Sequence, residues 1–321
     1  MTEETIDIGA LELDCGATLP AVQQRVTIDG TPNADGSNVV FAAHALTGSS
    51  RVAEWWPNIV GEGALFDRRY WCVIGINVLG GCYGSSSSLV IPSVVEGAPR
   101  ISVRDMVRAQ FRVFDALNLP RIAVVVGGSL GGMQALQWAL DAPQRVGHAI
   151  VIGASDHHTA MGIALNAVQR EAIALDPVRG VALARKIAML TYKSEDLLRE
   201  RHDRKPDRKG RAQFDVEGYL DHQGDTFVDR MDGATYTLLT HAMDSFDVRD
   251  RVAPPGVDLT FVGISSDWLF RPQEIRAAAK RLHARYLELE SNHGHDAFLA
   301  EPDRLRDLLA PVVARPLSSR A

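Results

Sequence analysis

Apolar residues in this chain gather into short runs, bounded by glycine or polar positions, at 38–43, 71–76, 122–126, 148–152, 259–264 and 285–289. Most positions in these runs are apolar, which is the pattern of strands covered on both faces. Helical periodicity fills many of the intervals, at 103–117, 133–140, 273–283 and 297–309. Buried strands alternating with amphipathic helices predict a mostly parallel sheet with helices on each side.

The alternation stops between Asp156 and Val252, where helix-like segments such as 178–190 and polar loops occur without a buried strand. This stretch reads as a helical insertion over the strand ends, where open α/β sheets bind their ligands. The expected organisation is a core of residues 1–155 and 251–321 with a helical lid at 156–250. No internal repeat or low-complexity segment interrupts it.

Composition narrows the function without naming it. The 321 residues are 46% hydrophobic and 23% charged, and the net charge of -6 gives no electrostatic footprint for nucleic acid. The basic run from Arg199 to Arg211 is broken by Glu200, Asp203 and Asp207 and reads as a solvated loop. Met1–Ala10 lacks the pattern of a signal peptide, and no window approaches the ~20 apolar residues of a membrane span. A cytoplasmic enzyme with small-molecule partners is expected. Cys15, Cys72 and Cys82 have no metal-type spacing, so no metal is expected.

The strongest chemical signal is Gly127-Gly128-Ser129-Leu130-Gly131-Gly132, which follows one apolar run and precedes a helical one. G-x-S-x-G between a strand and a helix is the nucleophile elbow of the α/β-hydrolase fold. A serine hydroxyl needs a base to take its proton and a third group to orient that base. In this fold the acid and then the histidine follow the serine in the chain. Asp267, just past the 259–264 run, and His295, past the last run, occupy those places. His293 is the rival base. Asp250 and Asp258 are rival acids, but they precede the strand and would lie at its wrong end. His157 and His158 are expected to face solvent or pack locally. Two backbone N–H groups should stabilise the developing oxyanion, one from Leu130 and one from the His44–Gly48 loop, with Leu46 the candidate.

These residues, with Asn77–Cys82, Arg104–Val107, Ala184–Lys186, Leu190–Tyr192, Tyr219–Gly224, Ser265–Phe270 and Gly294–Phe298, resemble the homoserine O-acetyltransferases of methionine biosynthesis. The resemblance implies an α/β-hydrolase homodimer joined through the helical insertion. It also implies acyl transfer from acetyl-CoA, a substrate rather than a cofactor, through Ser129 to the hydroxyl of L-homoserine. Arg185 and Asp296 are implied to bind the amino acid: a guanidinium suits its carboxylate, and a carboxylate suits its ammonium. Tyr192 follows Arg185 by seven residues and shares its helical face if that helix continues. The chain departs from the family after Cys82, where Tyr83-Gly84 leads into Ser85–Leu89 and the segment to Ile101 is short. That departure bears on the donor, because related enzymes use succinyl-CoA and some acylate serine. An esterase or thioesterase could carry the same triad.

Overall fold

The computed structural model describes residues 1–88 and 101–313. The part of the departing loop from Leu89 to Arg100 lies outside the described residues.

The strands are β1 (Thr2–Asp7), β2 (Leu11–Glu12), β3 (Thr18–Leu19), β4 (Gln23–Asp29), β5 (Val39–Ala43), β6 (Cys72–Ile76), β7 (Ile122–Gly128), β8 (Val146–Ile152), β9 (Asp258–Ile264) and β10 (Arg285–Leu289). Eight of them form one sheet in the order β1-β4-β6-β5-β7-β8-β9-β10, and β2 and β3 pair separately. From β6 to β10 every pairing is parallel, whereas β1 and β4 run antiparallel along one edge.

Neighbouring residues on a strand face opposite sides of the sheet, and both sides here are apolar. On β5, Val39, Phe41 and Ala43 join one buried cluster, while Val40 and Ala42 join the other. The first cluster is closed by α2 (Val103–Ala116), α3 (Leu130–Asp141) and α9 (Pro272–Arg281). In it the rings of Phe41, Phe114 and Trp138 meet at centroid separations of 5.5 to 5.9 Å. The second is covered by Val52 of α1 (Val52–Trp55), Phe298 of α10 (Ala297–Ala300) and Leu305 and Leu309 of α11 (Pro302–Leu309).

Helices α4 (Ala160–Leu175), α5 (Arg179–Tyr192), α6 (Glu195–Arg201), α7 (Asp215–Val228) and α8 (Gly233–Asp244) fall between β8 and β9. Thr159, Ser194 and Asp232 cap α4, α6 and α8 through side-chain oxygens that accept backbone N–H groups. Part of the basic run is more ordered than a solvated loop: Asp207 takes Arg211, and Asp215 takes His202 and Arg208. The single helix expected over 297–309 is two, because Pro302 cannot donate the bond that would continue α10. No helix among the described residues is long and apolar enough to cross a membrane.

Candidate active site

The loops that leave β5, β6, β7, β8, β9 and β10 all emerge at the carboxyl edge of the parallel sheet, where ligands of open α/β sheets bind. Ser129 joins β7 to α3 with φ 57° and ψ -124°, a strained backbone for a residue with a side chain. Its amide donates to the Ile152 carbonyl at 2.9 Å, pinning the turn to the end of β8. The strain persists because the surroundings allow no relaxation. A Cβ on Gly131 would fall on the Ala43 carbonyl oxygen, and one on Gly128 would enter the Phe298 ring. Only glycine lets α3 start this close to β5.

Asp267 and His295 meet as the chain order predicts. The His295 Nδ1–H donates to Asp267 Oδ2 at 2.7 Å, and Asp267 Oδ1 accepts the Leu269 and Phe270 amides at 2.9 and 3.0 Å. Both side chains are buried. The His295 ring edge lies against Gly153, the residue after Ile152, so the imidazole reaches the turn that holds Ser129. Its Nε2 is buried and makes no hydrogen bond among the described residues, leaving one lone pair free for a proton. Burial disfavours the imidazolium, but the charge and hydrogen bond of Asp267, with the charge of Asp296, carry His295 above its ordinary value.

The rival residues sit elsewhere. His293 is half-buried, and its Nδ1 has no hydrogen-bond partner among the described residues. Asp258 begins β9, at the opposite end of the strand from Asp267. Asp250 lines a separate polar cleft beside Arg104 and Arg251.

Leu130 is the first residue of α3, so its N–H is one of the donors that a helix leaves unpaired at its start. The His44–Gly48 loop, which contains Leu46, is held from within. The His44 Nδ1–H donates to the Ala45 carbonyl at 2.8 Å, and His44 Nε2 accepts the Val78 amide at 3.1 Å. That bonding requires a neutral ring, and burial pushes His44 down to about 4. A polar chain backs the loop. The Trp138 indole donates to Gln110, Gln110 to Gln134, and Gln134 to the carbonyls of His44 and Leu130. Sequence reasoning missed these glutamines; their signal is two amides inside otherwise apolar helical stripes.

Arg185 and Tyr192 share a face, since α5 runs unbroken through both. The guanidinium carbon lies 5.8 Å from the Tyr192 ring centroid and 5.0 Å from that of Phe227. Its Nε is buried without a hydrogen-bond partner among the described residues. Burial pushes the Tyr192 phenol up to about 12, with Arg185 opposing and Asp296 adding to the shift, so this ring feels both charges. Asp296 is not free: its carboxylate accepts the Lys193 ammonium at 2.8 Å. A cavity of about 620 Å³ opens over the Ala45–Arg51 loop, walled in part by Trp55, Asn77, Arg185 and Arg230. Ser129, Asp267 and His295 are buried and do not line it.

Of the two outcomes expected for His158, packing holds rather than exposure to solvent. It is buried, donates from Nδ1 to Asp244 at 3.0 Å and stacks on Phe270. Among the described residues, no group of three or more His, Cys, Asp or Glu side chains is arranged to hold a metal ion.

The sheet, the elbow after β7 and the acid–histidine pair after β9 and β10 define an α/β-hydrolase-fold protein, and residues 38–302 match that fold family. Over 95% of its length the chain is 38% identical to the homoserine O-succinyltransferase of Aromatoleum aromaticum, covering 94% of it. It is 36% identical over 96% of its length to the homoserine O-acetyltransferase of Methanocorpusculum labreanum, covering 72% of that protein. The crystal structure of the homoserine O-acetyltransferase from Staphylococcus aureus superposes with a TM-score of 0.84 at 28% identity, over 99% of this chain and 97% of that one. The chain belongs to the homoserine O-acyltransferase family.

Proposed function

We propose that this protein transfers an acyl group from coenzyme A to the hydroxyl of L-homoserine through an ester on Ser129. His295 Nε2 takes the Ser129 proton as Oγ attacks the thioester carbonyl. The Leu46 and Leu130 amides stabilise the oxyanion. Collapse breaks the C–S bond, and His295 returns the proton to the departing thiol. The acceptor hydroxyl then loses its proton to the same nitrogen and attacks the acyl-serine. Collapse forms the new ester and breaks the bond between the acyl carbon and Ser129 Oγ, which takes the proton held on His295. Asp267 does not itself carry the proton: it orients the imidazole and stabilises its charged form.

Arg185 carries this reading against a simple esterase. Its guanidinium faces the cavity over two aromatic rings and has no carboxylate partner among the described residues. A free, half-buried guanidinium suits the carboxylate of an amino acid, and an ester hydrolase has no use for it. Asp296, on the same side of His295, is the counterpart for the ammonium.

For the donor, the surroundings of His295 favour acetyl. Phe270, Phe298 and Tyr192 ring the imidazole at 5.4, 5.9 and 5.6 Å. Of the arginines on the cavity wall, Arg51 is already paired with Glu3 and Glu54, and Arg185 is reserved for the acceptor. The succinyl reading rests on the names of relatives such as the Aromatoleum enzyme and on Arg230, which lines the same cavity without an ion pair among the described residues. The test is thiol release from acetyl-CoA and from succinyl-CoA, each with homoserine, serine or no acceptor. Fast release only with acetyl-CoA and homoserine is expected. Release at the same rate without acceptor means a thioesterase, and preference for succinyl-CoA overturns the donor assignment.

A further inference from the structure

The Phe270 ring stacks against two imidazoles. It meets His295 at 5.4 Å between centroids with planes 26° apart, and His158 at 5.6 Å with planes 22° apart. Phe270 also donates its amide to Asp267 Oδ1 at 3.0 Å. His158 is thus one ring removed from the imidazole that reaches the Ser129 turn, although it is far from it in the chain.

His295 is held by a single ring hydrogen bond, from Nδ1 to Asp267. That bond leaves the ring free to tilt, so the packing of neighbouring rings must fix its plane. The Phe270 amide is held by Asp267, but its ring carries no polar group by which to be fixed. His158 has one. Its Nδ1 is bound by Asp244, which also accepts Asn166 Nδ2 at 2.8 Å and pairs with Arg170 at 2.7 Å. Its backbone amide donates to the Phe246 carbonyl at 3.0 Å, next to the Val248 amide that donates to Asp156 at 2.8 Å. These bonds tie together the two strands of chain by which α4–α8 leave and rejoin the sheet. Filling this space would need only a hydrocarbon side chain. Burying an imidazole costs desolvation unless it is bonded, and here a carboxylate, an amide and a guanidinium are buried or half-buried with it.

We propose that His158 is a positioning residue for acyl transfer: anchored by Asp244, its ring holds Phe270, and Phe270 holds the plane of His295. This rests on the reading of His295 as the base. The role is geometric: the ring of His158 makes the stack on Phe270, and its bond to Asp244 keeps that ring in place.

The experiment compares His158→Ala, His158→Phe and Phe270→Leu by steady-state kinetics, with thermal melts by circular dichroism and a count of acylatable Ser129 to correct for folded fraction. His158→Ala should lower kcat about 10-fold, the scale of a lost aromatic pair with some loss of alignment, while both KM values stay within about twofold. His158→Phe keeps the stack but loses the Asp244 anchor, so it should recover part of the kcat lost in His158→Ala, with a lower melting temperature. Phe270→Leu should fall at least as far as His158→Ala, and it decides the matter if the alanine variant does not fold. An unchanged kcat in His158→Ala or Phe270→Leu overturns the proposal. So does a His158→Phe variant as slow, per folded molecule, as the alanine variant. His295→Ala is run alongside: if it stays active, the failure lies in the assignment of the base.

Discussion

The Lys193 ammonium lies 2.8 Å from the Asp296 carboxylate, so the group proposed to receive the acceptor's ammonium already holds one from its own chain. Both side chains are largely covered, and a carboxylate between two ammonium groups must share its charge. Lys193→Met removes the internal competitor and should lower the KM for homoserine about two- to tenfold with kcat little changed. Initial rates against homoserine concentration check this. A KM that rises instead would show that Lys193 holds Asp296 in place.

The roles assigned to Ser129 and His295 predict a shared loss. Ser129→Ala and His295→Ala should each reduce turnover by at least ~10³-fold, and the double variant should be no worse, because the two act as one unit. His293→Ala should cost less than about threefold, since its ring makes no bond to Asp267 or any other described group through Nδ1. A larger loss in His293→Ala than in His295→Ala would reverse the assignment.

The pH dependence follows from the sign of the shift on His295. Burial alone would lower it, but Asp267 and then Asp296 outweigh burial, so protonation persists above the ordinary value of 6.5. The base works only when neutral, so kcat/KM should climb with pH through a value above 6.5. The same sign governs stability. A raised folded-state value stabilises the fold at pH below the unfolded value, and that contribution is lost as pH rises through the folded one. Asp296→Asn removes one of the raising charges and should move the acidic limb of the profile to lower pH. A limb that stays in place or moves up would show that Asp296 does not act on this imidazole.

How far the sequence leads depends on where each residue draws its signal. Strands β5 to β9 are buried on both faces along most of their length, so their apolar runs announce them, and the edge strand β10, only partly buried, still shows Tyr286, Leu287 and Leu289. Strands β1 and β4 carry TEETID and QQRVTID, with polar residues along an edge, and leave no such run. Helix α3 starts at Leu130, three residues before the helical pattern suggests, because the elbow glycines are chosen for close approach to Ala43 and hide the periodicity. Ser129, Asp267 and His295 are legible because chain order and strand ends constrain them. Lys193 and His158 are not, since each acquires meaning only from a partner about 90 to 100 positions away, Asp296 for one and Asp244 for the other.

The elbow makes its own stability prediction. A Cβ on Gly131 would meet the Ala43 carbonyl, which is backbone on a central strand and cannot step aside as a side chain can. Gly131→Ala should cost about 1–3 kcal/mol or more, seen as a melting temperature several degrees lower, and should slow Ser129 acylation by displacing the Leu130 amide. An alanine variant with wild-type melting and acylation would mean that β5 and α3 have room to separate.

Arg185 offers the sharpest division between transferase and hydrolase. Its guanidinium has no carboxylate partner among the described residues, packs over Phe227 and Tyr192 and reaches the cavity that includes Ala45 and Asn77. In the proposed reaction it meets only the acceptor, and the acceptor enters after Ser129 has been acylated. Arg185→Ala should therefore raise the KM for homoserine strongly, because a charge-assisted contact in a partly closed site is worth ~2–4 kcal/mol, or about 30- to 1,000-fold. Acylation should survive, since it uses Ser129, His295, Asp267 and the two amides. The two halves separate cleanly in a mass-spectrometric measurement of the Ser129 adduct formed from acetyl-CoA without acceptor. Arg185→Lys sharpens the test: it keeps the charge but loses the two-pronged geometry, so it should recover only part of the affinity. If Arg185→Ala instead blocks formation of the adduct and leaves homoserine saturation unchanged, the guanidinium serves the donor, and the acceptor's carboxylate must be bound elsewhere.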